Sequence, residues 1–125
     1  MRGFRVWSDC WKKYAVEAEL YMDGSADAVF EDDGGVPHHE NTDIVVEFKT
    51  GLRDKNGKEI YEGDIVDDGY SRICKIRWSG KYAGFKAVNE DDGYGTNIWF
   101  VSKYGEVIGN IHENPELLKG AECEN

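Results

Sequence analysis

Thr50-Gly51-Leu52-Arg53-Asp54-Lys55-Asn56-Gly57-Lys58-Glu59-Ile60-Tyr61-Glu62-Gly63-Asp64-Ile65-Val66 is the stretch whose reading decides the fold. Asn56-Gly57 between strand-like flanks is the strongest short hairpin signal, because both residues tolerate the positive φ of a type I′ turn. Gly63 supplies a second turn, and Asp64-Ile65-Val66 opens another strand. The turns account for the residues of this run in structural terms. Asp54, Glu59, Glu62 and Asp64 therefore need no catalytic explanation.

The pattern continues outward on both sides. Residues 72–78 alternate most cleanly, with Cys74, Ile76 and Trp78 on one side and Lys75 and Arg77 on the other. That describes a strand with one dry and one wet face, and it makes Cys74 a buried, inert thiol. Further strands are expected at 82–88, 97–101 and 105–111. Upstream, residues 4–7 alternate, and 15–22 pairs with 26–30 around Asp23-Gly24-Ser25. In the strand at 43–49, Ile44, Val46 and Phe48 form the apolar side, with Val45 and Glu47 opposite. Residues 31–41 hold Glu31, Asp32, Asp33, Gly34, Gly35 and Pro37, and read as an exposed loop. This loop is the best boundary, dividing an N-terminal β-rich subdomain, 1–42, from a domain at 43–125. Asn114 caps a short C-terminal helical turn with Pro115 at its first position. Many short strands with glycine turns indicate a mainly β chain, with a small β-barrel following an irregular β-rich N-terminal part.

Composition excludes more than it assigns. A chain of 125 residues buries enough surface to fold without a disulfide or metal. Its formal net charge of −10 and pI near 4.7 repel phosphate backbones, which disfavours non-specific nucleic-acid binding while leaving room for a local basic strip. Cys10, Cys74 and Cys123 show no Cys-x-x-Cys spacing, which points to reduced thiols in a cytoplasm. No apolar leader occurs, and no run approaches the ~20 apolar residues of a membrane span. The expectation is a soluble, cytoplasmic protein with no membrane partner.

Residues 50–66 resemble a signature of the YopX-like family of phage and prophage proteins. The tail Glu106-Val107-Ile108-Gly109-Asn110-Ile111-His112-Glu113-Asn114-Pro115-Glu116-Leu117-Leu118 resembles that family too, and Phe4-Arg5-Val6-Trp7 is similar to its opening F-R-A-W stretch. Phe48-Lys49 and Val6 depart modestly from the family pattern. Residues 8–43 and 79–104 are less diagnostic. The resemblance implies an SH3-like barrel for the C-terminal domain, an irregular β-rich N-terminal part, and a phage or prophage origin. It transfers no catalytic residues.

Other motifs have bland readings. Asp64, Asp67 and Asp68 lack EF-hand spacing and read as turn formers. His38 and His39, near Glu31, Asp32, Asp33, Glu40 and Asp43, sit in a loop too soft to converge on zinc. His112 beside Glu113 reads as a surface histidine, and Gly93-Tyr94-Gly95 as a loop tip. The acidic runs 31–33, 67–68 and 90–92 look like loops and not like the ordered carboxylate array that mimicry of DNA requires. No nucleophile elbow, P-loop, dinucleotide fingerprint or zinc-protease signature occurs. The expectation is a non-enzyme with no cofactor and no metal site.

Two surfaces remain as candidates. Four tryptophans exceed what one small core needs, and Trp7 and Trp11 are the candidate partner-binding residues, because tryptophan is enriched at interface hot spots. On this reading the protein acts non-catalytically, self-associating as a homo-oligomer or contacting a host or phage protein. The alternative is a nucleic-acid-binding barrel face built from Arg72, Lys75, Arg77, Lys81 and Lys86, interleaved with Tyr70, Tyr82 and Phe85.

Overall fold

The computed structural model describes residues 3–70, 72–89, 93 and 95–119. The described chain is mainly β, and it divides into two units, Met1–Phe48 and Lys49–Asn125. The division falls inside a strand instead of in the acidic segment before residue 43.

In the first unit, β1 (Phe4–Ser8) pairs antiparallel with β2 (Lys13–Tyr14). The intervening turn is tied by Ser8, whose Oγ accepts the N–H groups of Cys10 and Trp11 at 3.2 and 3.0 Å. A hairpin of β3 (Glu17–Leu20) and β4 (Ala26–Glu31) turns at 21–25, where Tyr21 N–H donates to the Ser25 carbonyl. Ala26, Ala28 and Phe30 of β4 are buried, whereas Asp27, Val29 and Glu31 face away, the period-two pattern of a half-buried strand. Phe4, Val6, Ala28 and Phe30 form the core, flanked by Trp11, Leu20 and Val46.

The segment expected to be an exposed loop at 31–41 is a hairpin. β5 (Pro37–Glu40) pairs with β4, completing a three-stranded sheet in the order β3-β4-β5. Its composition reads as a loop because the turn is made of acids and glycines. The Asp32 Oδ1 accepts the N–H groups of Gly34 and Val36, both at 2.9 Å, and closes the turn. Pro37 stands at the first position of an edge strand, where a missing N–H does no harm.

β6 (Ile44–Arg53) pairs with β1 over its first part. Here the expected sidedness reverses at two positions. Glu47 is 2 % exposed and Phe48 is 44 % exposed. Glu47 tolerates burial because it accepts hydrogen bonds from Arg5 Nε and Tyr14 Oη, both at 2.9 Å. The Arg5 guanidinium also lies 4.5 Å from the Tyr14 ring centre. Glu47→Gln keeps the shape but loses the charge, and is expected to cost about 1.5 kcal/mol in a urea titration. No change in stability would mean that the ion pair contributes nothing beyond its packing.

In the second unit, the later part of β6 pairs with β7 (Glu59–Tyr61). The connecting turn differs from the type I′ expectation. Gly57 has φ 84°, but Asn56 is absent from the residues with positive φ. Gly57 N–H donates to the Asp54 carbonyl, and Asp54 N–H to the Lys58 carbonyl, which makes a three-residue loop with one left-handed residue. β8 (Asp64–Asp67), β9 (Ile73–Ser79), β10 (Gly84–Asn89), β11 (Gly95–Asn97) and β12 (Glu106–Asn110) form a five-stranded antiparallel sheet ordered β11-β10-β9-β8-β12. Ile60, Val66, Cys74, Ile76, Ala87 and Val101 build its core. The arrangement fits a small SH3-like barrel. Cys74 is fully buried, as its place on the dry side of β9 predicts.

The strand expected at 97–101 is instead mostly helix α1 (Ile98–Tyr104). Ile98, Trp99, Phe100 and Val101 favour strands by propensity, but Asn97 caps the helix by accepting the Trp99 N–H at 2.8 Å. A 3₁₀ turn, Pro115–Lys119, follows Asn114 where a C-terminal turn is expected.

Candidate functional site

The β9–β10 hairpin carries a basic surface of the second unit. Register places Lys86 directly opposite Arg77 and Val88 opposite Lys75. Cross-strand partners share a face, so Arg77 and Lys86 project together. Tyr82 lies in the connecting loop, where its N–H meets the Ser79 Oγ at 3.4 Å and the following Ala83 adopts φ 50°. Two ammonium groups lie near the Tyr82 ring, Lys86 Nζ at 4.8 Å and Lys81 Nζ at 5.4 Å from its centre. Arg77, Ser79, Tyr82, Lys86 and the backbone at Gly95 line a groove of about 360 Å³.

A second surface of this unit is aromatic. Trp99, Phe100 and Tyr104 of α1 are exposed together with Tyr70. Their rings form a chain, with centres 5.7 Å apart for Trp99–Phe100, 6.1 Å for Phe100–Tyr104 and 6.3 Å for Tyr70–Tyr104. Lys103 Nζ lies 5.1 Å from the Trp99 ring centre and 5.8 Å from that of Tyr104. α1 itself contains no acidic residue.

The first unit has a cleft of about 540 Å³ bordered by Glu17, Glu19, Asp27, Val29 and His39, with Phe4 in its lining. Tyr21 Oη donates to Asp27 Oδ2 at 2.6 Å, and that hydrogen bond, followed by desolvation and nearby carboxylates, pushes the phenol up to about 12. His38 does not join His39. Adjacent strand residues point to opposite faces, and His38 contacts Asp32 Oδ2 at 3.0 Å and the Trp11 ring at 4.8 Å. That contact, with the Val36 and Gly34 amides, holds the Asp32 carboxyl below its ordinary value. No group of three or more metal-ligating side chains converges among the described residues.

The model of the YopX family, described as YopX protein, matches residues 3–119. The chain belongs to the YopX family. Protein EF1440 from Enterococcus faecalis, a crystal structure, is similar at 27% identity and TM-score 0.61, covering 93% of this chain and 96% of that one. Protein yopX from Bacillus subtilis is similar in fold, with 23% identity and TM-score 0.62 over 94% of this chain and 95% of that one. No curated protein matches the chain. The YopX match spans both units, so neither the three-stranded sheet nor the basic hairpin is an appendage to the family fold.

Within this YopX chain the sequence-predicted residues separate. Trp7 is 3 % exposed, donates its indole N–H to Asp9 at 3.0 Å and meets the Tyr14 ring edge-on. Trp11 stacks on Phe30 with ring planes 5° apart and donates to Glu40 at 3.0 Å. Trp7 is thus buried and Trp11 half-buried, and both pack within the first unit. The exposed tryptophans are Trp78 and Trp99. Trp78, expected on the dry side of β9, is 49 % exposed and packs edge-on with Phe85. Of the basic set, Arg77, Lys81 and Lys86 come together, Lys75 shares their strand pair, and Arg72 lies in the turn held by Asp68, which accepts its backbone N–H at 3.3 Å. The α1 patch escapes sequence reading because its four-residue apolar run reads as a strand. The Asn97 cap was the available signal. The acidic run at 90–92 and Cys123 lie outside the described residues.

Proposed function

We propose that this member of the YopX family is a non-catalytic phage or prophage accessory protein that works in the host cytoplasm through protein–protein contact, with a second copy of itself as the first partner. The observation that carries the reading is the exposed aromatic chain of Trp99, Phe100, Tyr104 and Tyr70. Aromatic side chains concentrate interface energy, because each buries a large area at little conformational cost. The charge balance favours a second copy at this place. Copies carrying −10 repel, and α1 presents aromatic surface and Lys103 without a carboxylate of its own.

Sedimentation velocity over a concentration series tests the proposal. The native chain is expected to self-associate, and Trp99→Ala to weaken the dissociation constant by roughly tenfold or more. Added salt is expected to strengthen association by screening the net repulsion. A native chain that stays monomeric at all concentrations overturns the self-association, as does a Trp99→Ala variant that associates like the native chain.

A further inference from the structure

We infer that the β9–β10 groove binds single-stranded nucleic acid, with Arg77 and Lys86 taking phosphate oxygens and Tyr82 stacking a base. The inference uses side chains other than those of the α1 patch and does not depend on self-association.

Three features of the groove point to this ligand. The first is a repulsive pair. Lys86 and Arg77 are direct cross-strand partners, and like charges in that position destabilise a sheet. Neither has a carboxylate partner among the described residues, although the chain holds 25 acidic side chains. An anion seated between them converts the repulsion into two charge-assisted hydrogen bonds. The second is the ring. Tyr82 is 62 % exposed at the lip of the groove, with Lys81 and Lys86 beside it. A π face among ammonium groups suits a strand that alternates bases with phosphates. An acidic peptide would engage the cations and leave the ring unused. The third is the glycine wall. A Cβ at Gly93 would meet nothing within 4 Å, and one at Gly95 would only touch Ala87 and Lys86 at ordinary distances. At these two described positions the groove wall carries no side chain, so a backbone can lie against it.

The groove also explains how a chain of net charge −10 binds a polyanion. Few phosphates are engaged, and the remaining surface repels the rest of the strand. Binding is therefore expected to be weak, local and confined to low ionic strength. Three cations release about 0.7 counterion each from a single strand, giving a log–log salt slope of about −2.

The test is fluorescence anisotropy of a labelled oligothymidylate of roughly twelve nucleotides against the full chain at low salt. Saturable binding is expected, with the shallow slope above. Arg77→Glu and Lys86→Glu are each expected to weaken it by more than about tenfold, and Tyr82→Ala by roughly tenfold. Gly95→Val keeps every charge and fills the groove, so it separates shape from charge and is expected to weaken binding too. Circular dichroism of each variant shows whether the sheet persists. An oligoglutamate of similar length is expected to compete poorly. The proposal is overturned by no binding at low salt, by equal competition from oligoglutamate, or by folded Lys86→Glu and Tyr82→Ala variants that bind like the native chain. The Trp99→Ala variant should bind the oligonucleotide normally, so failure here leaves the self-association reading standing, and the reverse also holds.

Discussion

Asp54→Ala is expected to lower the unfolding free energy by about 3 kcal/mol, read from urea titration. Asp54 is 6 % exposed, and its carboxylate is an acceptor hub for backbone groups. Oδ1 accepts the N–H groups of Asn56 and Lys58, both at 2.9 Å, and Oδ2 accepts that of Val107 at 2.8 Å. The first two close the β6–β7 turn, and the third ties it to β12 across a separation of 53 residues. Alanine strands all three donors. Burial pushes the Asp54 carboxyl up, but the amides of Val107, Lys58 and Asn56 outweigh it and hold the group below its ordinary value of 3.8. A folded-state value below the unfolded one means that the contribution is complete above the unfolded value and is lost as pH falls through the folded one. Asp54→Asn, which cannot ionise, is expected to lose part of the stability at neutral pH and to show a weaker acid dependence below about pH 4. An Asp54→Ala midpoint equal to the native one would refute the hub.

Gly105→Ala is the second large effect, expected at about 3 kcal/mol or above, from overpacking against backbone that cannot move aside. Gly105 ends α1 with φ −100° and ψ 176°, an extended conformation open to any residue, so the penalty is steric alone. A Cβ there would lie 2.5 Å from the Asp67 carbonyl oxygen and 3.0 Å from that of Val101. The same residue donates its N–H to Val101 and accepts from Lys55 N–H at 3.0 Å, so it cannot shift without breaking the helix end or the turn. Gly80→Ala is the control, because nothing lies within 4 Å of its Cβ, and its stability is expected to stay within about 0.5 kcal/mol of native. Equal stability of the Gly105 and Gly80 variants would contradict the close approach.

Local chemistry was legible wherever it acts through neighbours in the chain. The alternation at β9 placed Cys74 and Ile76 inside, and Asn114-Pro115 announced the 3₁₀ turn. Errors came where composition and geometry part. Acids and glycines at 31–36 signalled a loop but make a tight hairpin turn leading into β5. β-favouring residues at 98–101 hid a capped helix. Of the candidate sites, the basic residues were read as one barrel face, while the direct Arg77–Lys86 register beside Tyr82 came from the tertiary structure. Trp7 and Trp11 attracted attention as aromatic surplus, yet both occupy the first unit with their indole N–H groups satisfied.

The amino-acid sequence by itself determined that this is a mainly β chain, where most of its turns fall, and that it carries the marks of the YopX family. Those properties rest on period-two patterning and on glycine and asparagine at turns, which act over a few residues. Tertiary structure alone decided where that patterning is broken and which polar groups converge. Arg5 and Tyr14 made a buried site for Glu47, and the β9–β10 register set Lys86 opposite Arg77 beside Tyr82. Burial of Glu47 depends on partners distant in sequence, and convergence of the cations on a cross-strand register, which are fixed only when the sheets form.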